Sequence, residues 1–138
     1  MKSKITSLVS VFIVIILMYG IALGEVVRSG SLQARSNGTN VTVTWVTDDE
    51  SFVARFEVER RSGAEGDFGY IATVNTKGAS IYEFVDYSSY RTTGTLYQYR
   101  LKVLYSDGRT ATYTAPVSVI HTVSGVRRTW GSIKAMFR

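Results

Sequence analysis

The chain has no cysteine, one proline and one histidine in its 138 residues. Without cysteine there is no disulfide framework, no thiolate metal site and no residue to carry a lipid behind a leader. A single imidazole disfavours metal chemistry. Also missing are a glycine-rich phosphate cradle, a nucleophile elbow, internal repeats and low-complexity tracts, so neither nucleotide chemistry nor a known hydrolase arrangement is announced. No cofactor is expected. The remaining composition, 45% hydrophobic and 20% charged in 15.3 kDa, suits one globular domain with short appendages.

One long apolar run is present, at the N-terminus. Lys2 and Lys4 precede a stretch from Leu8 to Met18 broken only by Ser10, and Ala22-Leu23-Gly24 places small residues where a signal peptidase inspects the chain. The pattern predicts a secretory signal over residues 1–24, cleaved after Gly24. An uncleaved anchor over Ile5 to Leu23, or a buried core helix, is the competing reading of the same run. Export makes the lack of cysteine informative, because the remaining domain must then be held by its core alone.

Charge is unevenly placed. The whole chain carries a net +5, yet residues 25–125 hold 10 basic against 11 acidic side chains. The excess sits at residues 126–138, where Arg127, Arg128, Lys134 and Arg138 face no acidic neighbour in sequence. A basic tail on a neutral body argues against a nucleic-acid-binding surface.

Period-two alternation dominates the body. Val41, Val43 and Trp45 alternate with threonines, Phe56 and Val58 with glutamates, and Tyr97, Tyr99, Leu101, Val103 and Tyr105 with polar residues. Turn-forming clusters separate these runs at Ser36-Asn37-Gly38, Thr47-Asp48-Asp49, Ser62 to Gly69, Lys77-Gly78 and Ser106-Asp107-Gly108. The expected fold is all-β: a single antiparallel β-sandwich of about seven strands over residues 25–125. Asp107-Gly108 is expected to form a two-residue hairpin turn with positive φ at both centres.

These strands resemble the fibronectin type III family. Val41-Thr42-Val43-Thr44-Trp45 is similar to its second strand, Phe56 to Arg60 to its third, and Gly94 to Val103 to its sixth. With Tyr82-Glu83-Phe84-Val85-Asp86, the order resembles the divergent version found in bacterial secreted and cell-surface proteins. The resemblance spans about Ser31 to Val119. It implies an immunoglobulin-like sandwich, a corner role for Tyr97, and a protein-binding or adhesive module rather than an enzyme.

Few residues offer chemistry. His121 reads as a strand-end histidine, although a Ser-His-Asp arrangement can assemble in three dimensions. Asp48, Asp49 and Glu50 lack the alternating ligand spacing of a calcium loop and read as a solvated acidic turn. Asn37 and Asn40 both begin glycosylation sequons. Tyr82, Tyr87, Tyr90 and Tyr113 could form a platform for sugar rings, the alternative being that they pack against the sandwich.

The tail is the favoured contact. Read as a helix, it brings Trp130, Ile133 and Phe137 onto one stripe, with Arg127, Lys134 and Arg138 largely off it and Arg128 adding charge. Gly131 weakens such a helix by about 1 kcal/mol, so it would order only against a surface. Its own sandwich, an anionic envelope or membrane surface, and a partner protein, including self-assembly or a sorting receptor, are the three candidates.

Overall fold

The computed structural model describes residues 25–91 and 95–122 of the chain. The expected signal segment and the tail residues Arg127, Arg128, Trp130, Ile133, Lys134, Phe137 and Arg138 lie outside the described residues, so their sequence readings carry forward without structural support or challenge.

Eight antiparallel strands occupy seven lanes in two sheets. The smaller sheet holds β1 (Gln33–Ser36), β2 (Val41–Val46) and β5 (Ile81–Asp86) in the order β1-β2-β5. The larger sheet holds β4 (Gly69–Asn75), β3 (Val53–Ser62) and β6 (Thr95–Tyr105), with β7 (Thr112–Tyr113) and β8 (Val117–His121) sharing the lane beyond β6. A 3-10 turn, Tyr87–Arg91, leads from β5 toward β6.

The last lane is broken for a visible reason. Tyr113 pairs with Lys102 and Val117 with Tyr99, so three residues, Thr114 to Pro116, face two on β6. Pro116 has no backbone N–H to donate there, and Thr114 bridges the gap by binding both backbone groups of Leu101. The result is a bulge that joins two short strands.

Alternation builds the core. On β2 every second residue is buried, Val41, Val43 and Trp45, while the residues between them are half-buried. On β6 the buried set is Tyr97, Tyr99, Leu101 and Val103. Trp45 stacks on Tyr82 at 5.2 Å with an interplanar angle of 4°, and Phe56 meets both rings edge-on at 5.9 and 5.3 Å. These offset and edge contacts are the geometries that aromatic quadrupoles favour.

The hairpin over Asp107-Gly108 departs from expectation. Its register is centred there, but Gly108 alone has positive φ, at 82°, so the turn is not the two-residue primed type. Ladder pairing with β7 stops at Val103, while on its other edge β6 continues along β3, with Tyr105 opposite Val53 and Ser106 N donating to Phe52 O. Tyr97 is buried as expected of a corner tyrosine.

The sandwich has two poles. At one lie the end of β2, the start of β5 and the end of β6. At the other lie Ser36, Asp86, Thr95 and the end of β8.

Candidate interaction surface

A polar group gathers hydrogen bonds at each pole: buried Asp86 fastens one sheet to the other, and half-buried Glu50 ties loops together. Asp86 on β5, 3% exposed, accepts from Tyr99 Oη on β6 at 2.7 Å and from Arg60 on β3 at 2.5 Å. Ser88 closes the ring, donating from N and Oγ to Asp86 Oδ1. Burial pushes the Asp86 carboxyl up, but hydrogen bonds from Ser88, Tyr99 and Arg60 outweigh it and hold the group below its ordinary value. Burial beside the same carboxylate drives the Tyr99 hydroxyl far above the usual phenol range.

At the other pole Glu50 gathers three donors. Its Oε1 accepts from Thr47 Oγ1 and Tyr82 Oη, both at 2.6 Å, and its Oε2 from Gly78 N at 3.0 Å. The acidic loop is therefore not simply a solvated turn. Asp48 pairs with Arg28, Asp49 caps Ser51, and Glu50 ties the β2–β3 loop to the β4–β5 loop. Among the described residues no group of three acidic, His or Cys side chains is arranged to hold a metal.

His121 ends β8, as its position predicted, but it is wholly buried. Its Nδ1 lies 2.8 Å from Ser36 Oγ, and its Nε2 has no hydrogen-bond partner among the described residues. Ser36 Oγ also receives Gly38 N, so this contact joins β8 to the β1–β2 turn. In that turn the Asn37 side chain accepts from Thr39 N and Asn40 N.

The outer face of the larger sheet carries a ladder of side chains. Arg61 Nε donates to Gln98, and Gln98 in turn to Ser118. One rung along, Arg100 Nε donates to Glu59 at 2.6 Å, and the Arg100 guanidinium lies 4.2 Å from the ring centroids of both Phe68 and Tyr113. The next rung pairs Lys102 with Glu57 at 3.6 Å. Planar cations held against aromatic faces, with Tyr70 and Ile120 exposed nearby, give this face the tyrosine and arginine content of protein-binding hot spots.

A second feature is concave. A cleft of about 630 Å³ separates residues 25–32, which lead into β1, from β6, β7 and the bulge, with Val26, Leu32, Val103, Tyr105, Tyr113 and Pro116 among its walls. Its volume lies within the range of pockets that enclose a ligand, roughly 300–1,000 Å³.

The proposed sugar platform is not brought together. Tyr82 is 2% exposed because its ring completes the Trp45 stack and its hydroxyl serves Glu50. Tyr87 is exposed on the 3-10 turn and Tyr113 on the outer face of the larger sheet, whereas the Tyr90 side chain lies outside the described residues. Sequence reasoning missed the Arg100 clamp and the cleft. The alternation of β6 did place Arg100 on the outer face, but the approach of Phe68 from the β3–β4 loop leaves no periodic trace.

No family model matches the chain, and no curated protein does. A solved structure described as a myokine structure is similar in fold: it is 12% identical, with a TM-score of 0.50, over 72% of this chain and 98% of that one. At that identity the likeness speaks for the fold, a fibronectin type III-like sandwich.

Proposed function

We propose that the chain is an exported, non-catalytic protein-interaction module for cell-surface adhesion or extracellular assembly, with residues 126–138 as its principal contact. The observation that carries this reading is the commitment of the buried and half-buried polar groups to architecture. Asp86 accepts four hydrogen bonds and Glu50 three from neighbouring strands and loops, and His121 is sealed from solvent. What faces outward is recognition chemistry: the Arg100 clamp, exposed tyrosines and an apolar cleft. The sandwich then serves as a scaffold that presents these surfaces and a cationic, aromatic tail.

The test compares residues 25–138 with residues 25–125, each fluorescently labelled, for retention on the surface of the producing cells. Loss of retention on deleting the tail, with weakening in salt for the longer form, is the expected result. Equal retention of both proteins would remove the tail from the contact.

A further inference from the structure

We infer that the cleft between residues 25–32 and the β7 hairpin receives residues 126–138 of a second copy of this chain, producing head-to-tail assembly. The inference rests on the tail being the contact, and it names the partner.

Polarity is the first argument. The cleft lies at the pole that holds Val27, Tyr105 and Arg109, whereas Thr122, from which the tail departs, follows His121 at the pole marked by Ser36 and Thr95. A copy stacked pole to pole meets the next cleft directly. Its own tail would have to reverse at Thr122 and run back along β8 to reach the same place. Because donor and acceptor surfaces lie at opposite ends, the contact is heterologous and extends as a chain instead of closing as a two-fold dimer.

Charge is the second argument. The segments at the cleft pole, residues 25–30, 47–52, 76–80 and 106–111, contain Glu25, Asp48, Asp49, Glu50 and Asp107 against Arg28, Lys77 and Arg109. The loops of this end are net acidic, although the cleft's own lining carries Arg28 and Arg109 beside Glu25, and the tail contributes four cations with no acid. Complementary signs steer the tail to this pole and away from random contact. Chemistry within the cleft is the third argument. Its walls are mainly apolar, with Leu32, Val103 and Tyr105 among them, which suits the aromatic and aliphatic set Trp130, Ile133 and Phe137.

The absence of native cysteine makes a direct test clean. Ala115 is exposed and lines the cleft, so the double variant Ala115→Cys/Ser132→Cys, in residues 25–138, places one thiol in the cleft and one in the tail. Mild oxidation is expected to give a disulfide ladder of multiples on a non-reducing gel. A control pair uses Ser118→Cys, exposed on the outer sheet face, with the same tail cysteine, and is expected to remain mostly monomeric. Residues 25–138 are expected to show a concentration-dependent rise in mass by sedimentation, which Ala115→Arg, with no cysteine added, should abolish and Ala115→Glu should keep.

An internal disulfide at monomer mobility, or a ladder no stronger than the control's, overturns the proposal. If the ladder fails while tail deletion still removes surface retention, the tail remains a contact and only the second copy is eliminated as its partner.

Discussion

Tyr99 and Asp86 join the two sheets through one buried hydrogen bond, hydroxyl to carboxylate, at 2.7 Å. Tyr99→Phe removes this donor while leaving Arg60 and Ser88 in place, so a loss of about 1–2 kcal/mol is expected in the denaturant midpoint. Asp86→Asn removes the charge that Arg60 faces and should cost about 3 kcal/mol. The pH dependence has a definite sign. Because the folded carboxyl is held below its ordinary value of 3.8, its contribution is complete above about pH 4 and is lost as pH falls through the folded value. Unfolding curves between pH 7 and pH 2 should show Asp86→Asn less stable at pH 7 and less acid-sensitive below pH 4.

The opposite pole makes an alkaline prediction. Burial, followed by the hydrogen bond to Glu50, pushes the Tyr82 hydroxyl up to about 12. Its stabilisation is full below the ordinary phenol value of 10.0 and disappears as pH rises through about 12. Titration of the Tyr82 ring by NMR should give a lower midpoint in Glu50→Gln than in the parent. An unchanged midpoint would detach Glu50 from Tyr82.

Trp45 tests the core. It is fully buried and contacts both Phe56 and Tyr82, so Trp45→Ala should cost about 3–5 kcal/mol, a large part of a total that is typically 5–15 kcal/mol. A denaturant midpoint equal to the parent's would displace the centre of the sandwich.

Arg100 tests the outer face. Glu59 is 8% exposed and receives the Arg100 Nε, so Arg100→Ala strands a mostly buried carboxylate and should cost about 2 kcal/mol. Arg100→Lys keeps the charge but not the plane that lies between Phe68 and Tyr113. It should recover less than half of that loss, as measured by urea unfolding.

The sequence made the strands legible and the polar fastenings illegible. Val41 to Trp45 and Tyr97 to Val103 announce themselves because burial on one sheet face imposes period two, and the structure places them on β2 and β6. Glu50 and Asp86 carry no such signature. Beside one local partner each, their partners lie 28 to 32 and 13 to 26 residues away, and only the assembled strands and loops bring those together. Tyr82 shows the same limit from the other side: a tyrosine among turn-rich sequence looks available to a ligand until the stack on Trp45 is seen. At Asp107-Gly108 the centre of the hairpin is as expected and the turn type is not, because only Gly108 takes a positive φ.

The bulge at Thr114 to Pro116 also governs how the module bears tension. A pull applied through Thr122 acts along β8, whose five register pairs with β6 run from Val117 to His121. Against an anchor at the opposite pole those pairs are loaded in shear, so they are expected to yield together instead of unzipping singly. The interruption at Thr114 to Pro116 separates those pairs from the β7 pairs, so the β6–β7 hairpin is expected to hold until β8 has torn free. A tether attached at this end would thus give way in two stages, and the first would leave the opposite pole intact.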